Sequence, residues 1–491
     1  MSLKNLNPTT AEKSQDMTDN SSDSTGSSNS EVKKRFTVIE PAVFLIYIST
    51  TMASAVLQNQ QLYLTCTVVY DYSDELCEPM LGIKAKNEAS QDIETKIQPY
   101  VANIIMAGSL ITSILPAILS LLLGPWSDKF GRRPVLIATF AAAFIGHATS
   151  TILTGISMAT PLNPWVYVLS NIPLTVTGGT CALITMVFCL VSDVSDEDGK
   201  VRRMFFIEGA VGIGSLGGNL ISSYILSAIG VNGVFLVSSG MDLAAFLFVY
   251  FFITESLNVK HERQESRLRE FFKFGLIKDL VRSCLKRRPH FDRAVIWCII
   301  FTMITTTFVQ QGEGGVSYLF LRNKFNVTLQ DFTTLMAAGI VIKMIGCGLV
   351  LVLLRVLFKA PLLVVSALGI LGCFTEDLMR TLAQQFWQMY LATACGFMAG
   401  INNPMLQAVL ASLVEATEIG KVYAVISALQ TLAPLAASPI YTSIYKMTLV
   451  SNPAAFYYLS CAIYLLGFLL IGTIYIFQRM SINASRSPIA A

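Results

Sequence analysis

The chain has 491 residues, 53% of them hydrophobic and 14% charged, and its mean hydropathy is +0.58. That balance excludes an ordinary water-soluble enzyme of this length, and 35 Lys plus Arg against 32 Asp plus Glu, a net charge of +3, gives no reason to expect nucleic-acid binding. Ten cysteines without a CxxC pair, and three histidines, form no metal- or cofactor-binding pattern.

A hydrocarbon core of ~30 Å needs about 20 apolar residues in helical conformation. Twelve such runs are expected, near 38–63, 101–123, 134–157, 164–191, 204–229, 233–254, 294–316, 332–355, 360–380, 386–413, 422–446 and 454–478. The Ser/Thr-rich segment 1–37 has no apolar run and reads as a disordered cytoplasmic tail. Spans one to six form an N-terminal bundle over 38–254, a basic linker covers 255–293, a second six-helix bundle covers 294–478, and 479–491 is a second tail. The fold class is therefore an all-α membrane protein. With both termini inside, 27 of the 35 Lys and Arg fall on the cytoplasmic side and 7 outside, the order that the positive-inside rule requires.

In chain order, the first span ends in Gln58, Asn59, Gln60 and Gln61, amides that need partners from a polar cavity, a solute or a neighbouring helix. Cys66 and Cys77 follow in the first external loop, where a disulfide is expected. Between spans two and three lies Gly124-Pro125-Trp126-Ser127-Asp128-Lys129-Phe130-Gly131-Arg132-Arg133-Pro134. Gly124 would let two helices approach closely and Gly131 would permit a tight turn, while Asp128 would pair with an arginine and cap the next helix. Such a cluster can lock the inner side in one of two states. His147, in the third span, is either a packing residue or a proton relay. The fourth span carries Asn171-Ile172-Pro173 and Gly178-Gly179-Thr180; Ala399-Gly400-Ile401 stands in the tenth at an offset of 221, and both spans lead to a Gly-Lys-Val triplet. Two parallel repeats are implied.

Glu208 lies roughly 7 Å into the fifth span beyond Arg203. Loss of hydration there disfavours the charged form and suits proton exchange near neutral pH; an ion pair with Arg202, Arg203 or a neighbouring helix is the structural alternative. In the linker, 268–285 is amphipathic and basic, suiting an anionic inner leaflet. Gln310, Gln311 and Glu313 recur in the seventh span, and Asn326-Val327-Thr328 is a sequon in the external loop after it. Lys343 stands roughly 18 Å from either surface, so it pairs with a carboxylate such as Glu208 or Glu313 or attracts an anionic solute. Asn402-Asn403-Pro404 and Gln407 place amides beside a helix-breaking proline in the tenth span.

The 124–133 segment resembles the G-x-x-x-D-x-x-G-R-R signature of the major facilitator superfamily at every fixed position. With Ser192-Asp193-Val194-Ser195, Phe205-Phe206-Ile207-Glu208-Gly209-Ala210-Val211-Gly212 and Ser412-Leu413-Val414-Glu415-Ala416-Thr417-Glu418-Ile419-Gly420, the chain is similar to the proton-coupled folate transporter and thymic stromal cotransporter family. The resemblance implies proton-coupled uptake of an organic solute, with Glu208 at the position of the family's proton-coupling glutamate. It also implies a cavity lined by spans 1, 4, 5, 7, 8 and 10. Phe308 and Gln407 occupy positions where the family's best-studied member has a histidine and an arginine, which weakens the case for a dicarboxylate such as folate.

The expected function is thus symport of a small, anionic organic solute, folate-like or a muropeptide, with the proton as coupling ion and no other cofactor. A proton-antiporting exporter and a non-transporting receptor with a carrier fold are the rivals. The plasma membrane is the expected site and an endosomal or lysosomal membrane the alternative. One chain holds a whole translocation path, so a monomer suffices.

Overall fold

The computed structural model describes residues 38–84, 87–195, 197–257, 292–414 and 416–486. The N-terminal tail, the amphipathic stretch 268–285, nearly all of the basic linker and Glu415 of the second repeat lie outside the described residues. Helix α1 (Glu40–Leu64) is followed by the short α2 (Asp74–Cys77), then by α3 (Glu88–Phe130) and α4 (Arg133–Ala159). A 3₁₀ segment, Pro164–Asn171, leads into α5 (Ile172–Val176), α6 (Gly179–Val194) and the long α7 (Glu197–Phe252). The second half comprises α8 (Asp292–Phe325), α9 (Leu329–Val350), α10 (Leu362–Leu382), α11 (Trp387–Cys395), α12 (Asn402–Leu413), α13 (Ala416–Thr448) and α14 (Ala455–Arg486). There is no β-strand among the described residues.

Nine segments among the described residues are long and apolar enough to cross a bilayer, one of them the 51-residue run Arg202–Phe252. A straight helix of that length would reach about 75 Å, over twice the hydrocarbon core. It turns back instead at Gly230, whose φ of 71° and ψ of −178° lie outside the helical region and favour a residue without Cβ. Both arms pack on α1: Ser222 donates to the Met52 carbonyl at 3.0 Å and Ser238 to the Ser49 carbonyl at 3.3 Å. The glycines of the first arm are packing residues, since a Cβ at Gly214 would meet the Phe44 carbonyl oxygen at 2.8 Å and one at Gly218 the Ile48 carbonyl oxygen at 2.5 Å.

The repeat is visible as two matching interruptions. Left-handed backbone at Gly178 and Gly179 separates α5 from α6, and a 3₁₀ turn, Ala399–Ile401, separates α11 from α12. Each half has its own buried cluster, around Val43, Phe140 and Val187 in the first and Ile299, Ile370 and Leu410 in the second. A third joins the halves at the end that carries Cys66 and Cys77, bringing Ile97 against Phe320, Tyr445 and Phe456. Large side chains such as Phe205, Phe251 and Leu357 are exposed, the distribution of an integral membrane protein whose outer face meets lipid.

Candidate functional site

A cavity of about 570 Å³ lies at mid-depth between the two halves. Its wall is rich in hydroxyls and amides: Thr50 and Ser54 of α1, Thr112 of α3, Asn171 before α5, Thr307 and Gln311 of α8, and Gln430 of α13. Proline and the glycine pair explain the polar face of the fourth span, because the interrupted helix turns Asn171, Thr175 and Thr180 toward the cavity. Across the wall, Gln430 donates to the Thr307 hydroxyl at 2.9 Å. No Lys, Arg, Asp or Glu lines this cavity.

His147 of α4 is on the same wall, and its Nδ1 lies 2.5 Å from Oδ2 of Asp242, in the second arm of α7. Asp242 is 0% exposed and also accepts a hydrogen bond from the Ser49 hydroxyl of α1. A carboxylate with so little solvent is tolerable only with partners of this kind. Asp242 escapes a sequence reading because it stands alone in an apolar run, 95 residues from His147.

Of the amides and charges expected to line a cavity, Gln311 is on this wall. Gln58 and Gln61 are set into α1 toward the disulfide end, where Gln58 Oε1 is buried without a hydrogen-bond partner. Gln310 and Gln407 are exposed elsewhere on their helices. Asn402 faces into the second half and accepts from Ser366 at 2.6 Å, while Asn403 accepts from Thr306 at 3.3 Å. Of the expected spans 1, 4, 5, 7, 8 and 10, spans 1, 4 and 7 supply wall residues, and the rest of the wall comes from α3, α4 and α13, with Phe235 of α7.

Glu208 is exposed on the first arm of α7 and has no ion-pair partner among the described residues. Its neighbour Arg203 is committed to Glu40 at 3.1 Å. Lys343 pairs with neither Glu208 nor Glu313: its Nζ lies 3.1 Å from Glu376 of α10. Arg380 bonds the same Glu376 and lies 3.5 Å from Glu313 and 3.4 Å from Asp377, so three carboxylates and two cations form one cluster on α8, α9 and α10. Glu376 and Asp377 are 3% and 2% exposed. Lys343 is thereby used inside the second half and supplies no charge to the cavity wall.

At the opposite end from the disulfide, Arg132 contacts Asp128, lies 3.1 Å from Asp193 and donates to Ser127 at 2.5 Å. The cap on α4 comes not from Asp128 but from Glu255, whose carboxylate accepts the backbone N–H groups of Arg132 at 2.9 Å and Arg133 at 3.1 Å. Arg133 donates to the Tyr250 carbonyl at 2.7 Å. Gly131 has φ 101°, and a Cβ there would meet Glu255 Oε2 at 2.2 Å. Gly124 is different: a Cβ added to it meets nothing within 4 Å, so it makes no close helix contact in this arrangement. Gly131→Ala should cost about 1–3 kcal/mol through backbone strain and loosen the Glu255 cap, read as a lowered melting temperature of the purified protein. An unchanged melting temperature would mean that the turn relaxes freely.

The disulfide end is closed by a polar knot between the halves. Arg322 of α8, 0% exposed, places Nε 2.9 Å and Nη2 2.8 Å from the two carboxylate oxygens of Glu94 in α3. Asn59 accepts from Tyr318 at 2.6 Å and from Arg322 at 3.3 Å, and Tyr445 donates to Gln98 at 2.8 Å. Cys66 and Cys77 are joined, with Cα atoms 5.8 Å apart, in the loop covering this knot. Asn326, φ 55°, lies in the turn from α8 to α9, and Leu329 behind it donates to the Gly82 carbonyl of the disulfide loop at 3.0 Å.

Residues 41–438 match the model of the Major Facilitator Superfamily. The chain is 31% identical over 445 residues to a Drosophila melanogaster protein named as a probable peptidoglycan muropeptide transporter SLC46, covering 89% of this chain and 85% of that one. It is 22% identical to the proton-coupled folate transporter of Rattus norvegicus, covering 84% and 86% of the two chains. The crystal structure of the human organic anion transporter MFSD10 superposes with a TM-score of 0.59 at 15% identity over 89% of this chain and 98% of that one.

Proposed function

Because the chain belongs to the major facilitator superfamily and, within it, to the solute carrier 46 family, we propose that it is a proton-coupled symporter carrying a polar organic solute toward the cytosol. In this reading the chain crosses the membrane twelve times with both termini inside, the two arms of α7 counting as separate spans. The observation that carries the proposal is the 570 Å³ cavity between the halves, a volume suited to a small organic ligand. Closure above it by the Arg322 knot, with the 124–133 motif tied up at the other end, is one state of a carrier whose halves rock about a central site. Glu208, exposed in the fifth span without an ion partner among the described residues, is the proposed proton-coupling carboxylate.

The wall also bears on the solute. Hydroxyls and amides suit the sugar and peptide groups of a muropeptide, whereas two permanent carboxylates, as in folate, would find no Lys or Arg there. A muropeptide is therefore the proposed substrate, in agreement with the name of the Drosophila relative. We place the carrier in the plasma membrane, its disulfide loop outward and Asn326 glycosylated.

The test is uptake of labelled muramyl dipeptide, folate and methotrexate into cells expressing the chain, at acidic and neutral external pH. Acid-stimulated accumulation of the muropeptide is expected. Accumulation of folate alone would overturn the substrate, and accumulation of none, with the protein at the cell surface, would overturn inward symport.

A further inference from the structure

The cavity wall carries no fixed charge, yet one of its side chains can acquire one. His147 is the histidine on the wall, and Cys181 is the other titratable group in the lining. Its Nδ1 is occupied by Asp242, while Nε2 has no protein partner among the described residues, and the side chain keeps 19% of its surface open. The groups packed around the pair are neutral: Ser49 from α1, Ser150 one turn along α4, and Ser238 one turn before Asp242 on α7.

We infer that the His147–Asp242 pair is the place where proton and solute meet, the imidazolium of His147 anchoring a carboxylate of the solute through Nε2–H. The charge arithmetic supports this. With His147 neutral, the pair carries one net negative charge beside the cavity and repels an anion. One added proton brings the pair to zero and offers the cavity an N–H donor whose charge is held in place by Asp242 behind it. Ser49 and His147 fix the carboxylate, and the carboxylate fixes which ring nitrogen faces the solute. Anion and proton would then bind together on the acidic side and leave together on the neutral side. This couples them without a permanent cation in the wall. The pair would thus take the role that Lys343, bonded to Glu376, does not fill.

The inference rests on the proposed symport for its purpose, but its chemistry is open to equilibrium binding. The probes are muramyl dipeptide and the same compound with its carboxylate converted to a carboxamide. Binding to the purified full chain is followed by thermal shift at acidic and neutral pH. The unmodified protein should prefer the carboxylate form by about tenfold or more at acidic pH and lose that preference at neutral pH. His147→Gln should bind both forms alike at either pH. Because His147→Gln leaves Asp242 buried with one partner fewer, the pair of changes His147→Gln and Asp242→Asn is measured beside it, with the same expectation. A carboxylate preference that survives in a folded variant overturns the inference, as does equal binding of the two forms by the unmodified protein at acidic pH; failure to bind either form overturns the proposed substrate instead. A pH-dependent carboxylate preference in the unmodified protein without acid-stimulated uptake would instead count against the symport reading and leave the anchor standing.

Discussion

Arg322→Met should lower stability by about 3–5 kcal/mol, because it removes the buried guanidinium that holds both oxygens of the Glu94 carboxylate. Both groups are almost fully enclosed, at 1% and 2% side-chain exposure, and their contact joins α8 to α3 across the two halves. Thermal unfolding of the purified protein reads the loss as a large fall in melting temperature. Glu94→Leu combined with Arg322→Met should recover most of it, since a buried ion pair replaced by apolar groups of similar volume is often neutral in stability. If the single variant melts with the unmodified protein, the pair is not what closes that end. The double variant carries a second expectation: without the cross-half bonds it should populate the state open at the disulfide end, measured as increased labelling of a cysteine placed in the cavity wall by an impermeant reagent.

Glu208→Gln should abolish concentrative uptake at acidic external pH while leaving exchange of pre-loaded solute largely intact. The substitution removes the titrating group and keeps its shape, and the side chain's exposure makes a folding defect an improbable explanation of any loss. Exchange needs the halves to rock with solute bound and does not need net proton movement. Uptake with an undiminished pH dependence would remove Glu208 from the mechanism. In the proposed mechanism its place off the cavity wall gives it a different task from His147: Glu208 would exchange a proton outside the cavity, and His147 would present one to the solute.

What could be read in the sequence follows from how far each signal reaches along the chain. Hydropathy marks long helices because it averages over some twenty residues, and the 124–133 motif is legible because Asp128 and Arg132 are one turn apart. The Cys66–Cys77 bridge is likewise local, at a separation of 11. The same averaging hides single charges. Asp242 vanishes in an apolar run, as do Arg322, the buried partner of Glu94, and Arg380, the partner of the Glu313–Glu376–Asp377 group. Glu376 and Arg380, spaced four apart inside an apolar helix, are a signal visible in the sequence. Lys343 was legible as a residue needing a partner, but which partner depends on the rotation of α9 against α10. The cavity amides follow the same logic. Gln311 faces the cavity and Gln310 does not, because adjacent helical positions point about 100° apart.

In the proposed symport, the Arg322 knot would also set a kinetic asymmetry. In that reading, a carrier whose disulfide end is fastened by a buried ion pair and a net of hydrogen bonds has to break them before it can load again. Reloading begins with breaking those bonds while the cavity is empty and nothing compensates their loss. In the proposed symport the slow half of each turnover is then the unladen return, set by a contact that lies outside the cavity wall.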